Sequence, residues 1–483
     1  MEPANRHQRR LARKQPGAKA GEANDAVPRR FREALRCQKA GDLDQAERLC
    51  REILALDPRH ADSFHLLGVV AHQAGRSDIA VAPIERAIAL RSGVAAYHNS
   101  LGLALRAQGK LDAASAQYRL ALALAPNLVQ ALSNLGLVLQ AQDKLDEAVA
   151  CFERAIAIEP GFAVAHHNLG VVLRVQGRLD AAFAAYRRYA ALRVAKSDAG
   201  ERRVASAAAG KIRHDLDQLD YLLAAHPDEP RFRQIQAAAA ATPERFPALF
   251  EALFHLEGGA RVAPAAVNPA LDVAAIEARW AESRPQIVVI DEFLTPPALA
   301  ELRRFCWGST VWRVPYPNGY LGAFLGDGFA CPLLAQIVGE LAAKLPGVIQ
   351  RHPLTQLWGF KYDREQRGIN IHADVAAVNV NFWIAADDAN LDPESGGLVI
   401  WDVPAPLDWS FEKYQNNDAR DIRALLAANN ARPTTVPYRC NRAVVFDSDL
   451  FHETDRFAFQ EGYRNRRINV TMLYGLRHHT GAA

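Results

Sequence analysis

Gly68, Gly102, Gly136 and Gly170 stand 34 residues apart, and Ala46, Ala80, Ala114, Ala148 and Ala182 keep the same interval. Two independent sets of positions sharing one period confine the N-terminal part of the chain to a stack of near-identical supersecondary units. Gly41, Gly75, Gly109 and Gly177 recur between them, with Asp143 taking the place of one, and Pro58, Pro126 and Pro160 close three of the units. Small residues recur where two helices of a unit must approach closely, and prolines stand where a helix must stop. Each unit is therefore predicted to be a helix pair. No such pair buries its apolar face alone, so the units must stack on one another.

The units HNSLGLALRAQGKLDAASAQYRLALALAPN and HNLGVVLRVQGRLDAAFAAYRRYAAL resemble tetratricopeptide repeats, five of which span residues 27–196. The resemblance implies an α-solenoid that takes a protein or peptide as its partner. In the last copy Tyr189 stands where Ala is periodic and Val194 where Pro is, as expected of a terminal, capping unit. Residues 1–26 have the Arg, Lys, Pro and Gly content of a disordered basic arm. Residues 197–283 are Ala-rich and helical in pattern, a connector between modules.

From residue 284 the texture changes to short β-branched and aromatic runs broken by Gly, Pro and Asp: PQIVVIDEFL, TQLWGFKYD, AVNVNFWIA, GGLVIWDV, NRAVVFDSD and RRINVTMLYG. This pattern predicts an all-β domain over residues 284–477, with helices near Pro297–Phe305 and Pro332–Lys344 covering the sheet and a short tail at 478–483. The C-terminal half is thus of a different class from the N-terminal half.

The tripeptide pattern His-x-Asp occurs three times, at His60, His226 and His372. The first follows Pro58 at a repeat junction, where Asp62 is a solvated acid in a first helical turn. The second lies in HPDEPRF, a turn between helices. Only the third falls in a strand-like run, where residues i and i+2 share a face and His372 and Asp374 reach one ion together. His452, 80 residues downstream in FDSDLFHETD, supplies a second imidazole. Two histidines and a carboxylate form a facial triad that leaves open positions on Fe(II). The chain ends its strands in YRNRRINVTMLYG, whose arginines suit a dicarboxylate. Strand parity puts Arg467 with Asn469 and Thr471 and Arg466 with Ile468 and Val470, and the polar face is the one expected at a co-substrate site. Asn379 and Asn381 are further candidates near the ion, while Asp447, Asp449 and Asp455 are read as loop or supporting groups.

The order IDEFL, His-x-Asp, GGLVIW, His, then Arg resembles the prolyl-hydroxylase-type iron and 2-oxoglutarate-dependent oxygenases, over roughly residues 285–476. The resemblance implies a double-stranded β-helix, or jelly roll, with flanking helices. It implies Fe(II) held by His372, Asp374 and His452, 2-oxoglutarate anchored by Arg467 with Tyr362 nearby, and dioxygen as oxidant. The implied activity is hydroxylation of a C–H bond coupled to oxidative decarboxylation, possible substrates including a protein side chain recruited by the repeats. Two rivals carry the same motifs: an interaction protein whose β-domain performs no turnover, and a zinc or manganese barrel in which no arginine is required.

Composition narrows the partners. A formal net charge of +3, with 23% charged and 49% hydrophobic residues, gives no strong field toward nucleic acid. The six cysteines form no CxxC pair, and the N-terminus lacks the apolar run of an export signal. A cytoplasmic protein with no membrane span is the expectation.

Overall fold

The computed structural model describes residues 16–196, 209–349, 351–363, 365–366, 368–414 and 419–477. Two compact units divide the chain, one ending at Asn168 and the other beginning at Leu169. In the first, helices Pro16–Ala40, Leu43–Leu56, Ala61–Gln73, Ser77–Leu90, Ala95–Ala107, Leu111–Leu124, Val129–Ala141 and Leu145–Ile158 follow one another with short turns. Residues 16–26 belong to the first helix, which corrects the expected disordered arm over that stretch. Residues 1–15 of the arm lie outside the described residues, as do 197–208 of the connector and the tail.

The periodic glycines sit where helices of a pair touch. A Cβ at Gly68 would lie 2.4 Å from Ile84, one at Gly102 2.6 Å from Tyr118, and one at Gly136 2.7 Å from Phe152. The turn position needs a left-handed backbone, with φ of 83° at Gly41 and 59° at Asp143, so Asp143 meets a requirement that Gly meets elsewhere. His60 caps helix Ala61–Gln73 by accepting from the Ser63 amide, and Asp62 takes hydrogen bonds from Arg91 and the Tyr97 hydroxyl. The first His-x-Asp is accordingly a helix start, with its acid paired rather than simply solvated.

The second unit holds the end of helix Ala163–Val175 and helix Leu179–Lys196, which were expected to close the repeat array. Their outward side chains meet partners from the connector and the β-rich region. Arg174 donates to the Leu354 carbonyl, Arg193 pairs with Asp327 at 2.9 Å, and Asp180 pairs with Arg261 at 2.8 Å. By its contacts the greater part of the fifth repeat groups with the C-terminal unit, while its sequence keeps the repeat period. Connector helices Ala209–Ala225, Pro230–Ala241, Phe246–Ala252 and Val273–Glu282 follow. Gln218 caps the end of helix Pro296–Gly308 by donating to the Trp307 and Ser309 carbonyls at 3.0 and 2.8 Å.

Strands β1 (Ile287–Ile290), β2 (Val314–Tyr316), β3 (Tyr320–Phe324), β4 (Leu354–Tyr362), β5 (Glu365–Gln366), β6 (Val378–Trp383), β7 (Leu398–Pro404), β8 (Pro433–Val436), β9 (Ala443–Asp447), β10 (Leu450–Thr454), β11 (Phe457–Ala458) and β12 (Ile468–Tyr474) make up the β-rich region. A seven-stranded sheet runs β1-β9-β6-β12-β4-β3-β2 and a three-stranded sheet β10-β7-β8, while β11 and β5 form a short pair. All the pairings are antiparallel. Phe360, Tyr362, Trp383 and Phe446 from the large sheet pack with Leu398, Ile400, Val436 and Leu450 from the small one. The two sheets therefore share one apolar layer. Helices Pro296–Gly308 and Pro332–Lys344 lie where the sequence places them, and Phe411–Tyr414 and Arg420–Ala428 interrupt the expected all-β run.

Replacing glycine by alanine normally favours a helix by roughly 1 kcal/mol. At Gly102 the added methyl meets the fully buried Tyr118 ring, so overpacking reverses the sign and costs about 1–3 kcal/mol. Gly102→Ala is expected to lower the helical melting midpoint, read by far-ultraviolet circular dichroism. An unchanged or raised midpoint would show that the helices of that pair are not in close contact.

Candidate metal centre

The third His-x-Asp does not lie on a regular strand, contrary to expectation. His372 makes an isolated antiparallel bridge to His452, with amide-to-carbonyl distances of 3.0 and 2.8 Å in the two directions. Beyond it the chain is loop. Asp374 is fixed instead by its amide, which donates to the Ser448 carbonyl at 3.2 Å. The sequence run read as a single strand before His452 is also two strands, β9 and β10, with the turn at Ser448 and Asp449. That turn is what lets the backbone reach Asp374 and present His452 beside it.

The three side chains converge. His452 Nε2 lies 3.4 Å from one Asp374 oxygen and His372 Nε2 lies 3.7 Å from the other, and the imidazole centroids are 4.4 Å apart. One ligand atom from each falls within 4.8 Å of the others. Adjacent ligands at bond lengths of about 2.1 Å sit roughly 3 Å apart, so a modest contraction closes the set on an ion. Both tautomers are preset. His372 Nδ1 donates to the Asn370 carbonyl at 2.8 Å and His452 Nδ1 to the Leu450 carbonyl at 3.0 Å, which leaves each Nε2 as an acceptor aimed inward. Burial, with help from the neighbouring His452, pushes the His372 pKa down to about 4 against the pull of Asp374. The imidazole is neutral at neutral pH, the form that binds metal. Asn379 donates to Asp374 Oδ2 at 2.8 Å and holds the carboxylate in place.

Behind the triad is a small chamber between the two sheets. Asn381, Asn469 and Thr471 of the large sheet and Leu398, Thr454 and His452 of the small one line it, together with Arg467. Strand alternation explains the polar face, since Thr471 pairs with Asn381 in register and Asn469 is two residues away on the same side. Arg467 is fully buried, and no carboxylate pairs with it among the described residues. Its Nε donates to the Gly396 carbonyl at 2.7 Å, and its Cζ lies 4.6 Å over the Tyr362 ring. Burial lowers its pKa, and the guanidinium nevertheless remains a cation, as arginine does in proteins. Arg466 points the other way, pairing with Asp217 at 2.6 Å.

Tyr362 packs its ring beneath the Arg467 guanidinium and is not among the residues that line the chamber. Its hydroxyl lies near Thr454 and Arg467 without closing a hydrogen bond of ordinary geometry. Burial raises its pKa, opposed by the Arg467 charge. Gly397 cannot be anything else, because a Cβ there would fall 1.8 Å from the Val436 carbonyl oxygen. Two buried acceptors, Asn379 Oδ1 and Asn381 Oδ1, complete no hydrogen bond. Asp449, read from sequence as a loop or supporting group, pairs with Arg477.

In front of the triad opens a cleft of about 600 Å³, lined by Tyr316, Tyr320, Phe324, Trp358 and Phe360, with His372 and Asp374 at its floor. Tyr316 and Tyr320 stack with centroids 4.5 Å apart. The arrangement has a polar, cationic recess on one side of three metal-type ligands and an aromatic opening on the other.

Family models described as tetratricopeptide repeat match residues 31–94, 129–162 and 163–188, and one described as TPR repeat matches 102–143. The chain is therefore an N-terminal helical tetratricopeptide solenoid followed by a β-rich region. Similar solved structures include MamA, 25% identical over 34% of this chain and 95% of that one, with a TM-score of 0.31. YrrB, described as a TPR protein with an unusual peptide-binding site, is 22% identical over 37% of this chain and 92% of its own, at a TM-score of 0.31. The pilF protein of Pseudomonas aeruginosa is 21% identical over 45% and 99%, at 0.33. No curated protein matches the chain. Tetratricopeptide repeats bind proteins or peptides, and no described helix is long and apolar enough to cross a membrane.

Removing the donor that holds Asp374 should weaken metal binding by about 10–100-fold. We expect this of Asn379→Ala in a Co(II) competition titration, with His60→Ala matching the parent as the control. Equal affinities for Asn379→Ala and the parent would mean that the carboxylate needs no support or binds no ion.

Proposed function

We propose that the chain is an Fe(II)- and 2-oxoglutarate-dependent oxygenase of the double-stranded β-helix type, hydroxylating a polypeptide that the repeats recruit. The observation that carries the reading is the shared chamber. Two preset imidazoles and a buttressed carboxylate meet beside a buried arginine that has no carboxylate partner among the described residues. A buried cation left unpaired is costly, and a dicarboxylate entering that chamber would relieve the cost. The orphaned acceptors Asn379 Oδ1 and Asn381 Oδ1 in the same place also suit a ligand or its water.

In this reading His372, Asp374 and His452 would hold the metal and Arg467 the distal carboxylate of the co-substrate. When bound, iron, 2-oxoglutarate and dioxygen would supply the oxidising chemistry, one oxygen atom going to the C–H bond and the other to the succinate left when the 2-oxo acid loses carbon dioxide. The chain's own residues do the rest. The Gly396 carbonyl and the Tyr362 ring fix the guanidinium, and the sheet-on-sheet apolar layer excludes water behind it. The aromatic cleft admits the substrate over His372, whose side chain is 15% exposed toward it.

A second reading has its own support. The family matches fall on the repeats and end at residue 188, and taken by themselves they favour a repeat-based interaction protein whose β-region performs no turnover. Anaerobic Fe(II) titration with and without 2-oxoglutarate separates the two, since the chelate gives a visible charge-transfer band. An absent band, with no co-substrate consumed in air, would leave the interaction protein.

Arg467→Ala should raise the apparent 2-oxoglutarate constant at least tenfold, the result of losing roughly 2–5 kcal/mol of desolvated charge pairing. Arg466→Ala breaks the contact with Asp217 instead and is expected to shift the melting midpoint with little change in that constant. The larger kinetic defect at Arg466 would overturn the assignment of the anchor. A chain beginning at Ala163 keeps the fifth repeat and should still consume 2-oxoglutarate, while losing hydroxylation of the recruited polypeptide. Equal hydroxylation by that truncate would remove the repeats from substrate capture.

A further inference from the structure

The second His-x-Asp, set aside as a turn, has a different role. His226 stands at the end of helix Ala209–Ala225, its amide donating to the Leu222 carbonyl at 2.8 Å. Across from it runs the extended segment carrying His255 and Glu257. That segment is pinned to the end of helix Pro296–Gly308 on both sides. The His255 amide donates to Thr310 Oγ1 at 2.9 Å, the Thr310 amide to the His255 carbonyl at 2.9 Å, and the Glu257 amide to Ser309 Oγ at 3.1 Å. The backbone behind two of the three side chains is therefore fixed before any ligand arrives.

One ligand-type atom from each of His226, His255 and Glu257 falls within 4.8 Å of the other two. His226 Nε2, His255 Nε2 and Glu257 Oε2 are each shut off from solvent, and none completes a hydrogen bond. His226 Nε2 and Glu257 Oε2 approach to 3.1 Å, close enough to attract but not aligned as donor and acceptor. Phe232 walls the cluster, edge-on to His255 at 5.2 Å and 5.9 Å from His226. Three orphaned polar atoms of this kind are expensive in an interior that hydrogen-bonds nearly all its polar groups. Two imidazoles and one carboxylate are also the donor set that takes zinc, with a fourth position left for water. The His226 side chain, 31% exposed, leaves a way in.

We infer that His226, His255 and Glu257 form a second metal site, specific for a borderline divalent ion such as Zn²⁺ and separate from the His372 triad. The ion joins the end of helix Ala209–Ala225 to the segment that leads into the β-region, closing a loop between positions 226 and 255. Such a tie has no part in the oxidative chemistry. Its binding free energy is released only in the folded chain and adds to stability.

Equilibrium dialysis against Zn²⁺ alone tests this in the full chain. The His372→Ala/Asp374→Ala chain, in which the triad is dismantled, is expected to retain one zinc per molecule, and to retain none once His255→Ala or the gentler Glu257→Gln is added. Co(II) offered to the same chain should give the visible absorption of a four-coordinate ion, lost with His226→Ala. If the dismantled-triad chain does not fold, the comparison moves to the otherwise intact chain, where His255→Ala or Glu257→Gln should lower the zinc count from two to one. Zinc retention indifferent to all three residues, or no zinc in the absence of the triad, overturns the proposal and leaves a His–Glu ion pair packed on Phe232.

Discussion

The convergence of His372, Asp374 and His452 in the β-rich region depends on two backbone hydrogen bonds between His372 and His452. These bonds join the loop between β5 and β6 to a strand of the small sheet. Without that bridge neither histidine has a reason to face the other, because 80 residues and several turns separate them. With it, Nδ1 of each ring is consumed by a nearby carbonyl and Nε2 can only point inward. Asp374 follows two residues later and is caught by Ser448, the residue at which the β9–β10 hairpin turns. The convergence of the three side chains is thus a product of main-chain pairing, and they inherit their aim from it.

Much of this was legible in the sequence for a simple reason: periods and alternation are local. The 34-residue interval marks helix pairs because each glycine must clear an aromatic or branched side chain from the partner helix. Alternation along RRINVTMLYG separates Arg467 from Arg466, and in the fold the first lies in the chamber and the second on Asp217. What local pattern cannot carry is a contact made through the rest of the fold. Asp374 sits in a loop whose shape depends on Ser448 and Tyr414, distant in sequence. Tyr362 holds the right neighbourhood but packs against the guanidinium, a choice settled by where Phe457 and Trp383 leave room. His226 carries no motif with His255 and Glu257, and a turn of Pro and acids conceals it.

The buried polar face of β6 and β12 is the other expense in the design. Asn379, Asn381, Asn469 and Thr471 interrupt strands that are otherwise buried apolar and aromatic residues. Apolar residues at those four positions would make a tighter sandwich. Polarity there comes with two unanswered amide oxygens, an expense in an interior that hydrogen-bonds nearly all its polar groups.

The fifth repeat carries a consequence for how order is lost. In a linear array each unit is held by its neighbours, and unravelling begins at whichever end lacks one. Helix Leu179–Lys196 does not lack one, since Arg193 and Asp180 tie it to Asp327 and Arg261. The array is therefore a strand of rope made fast at one end. Order in helix Leu179–Lys196 is therefore lost together with those contacts, and not as in a terminal unit that has only the preceding repeat to lean on.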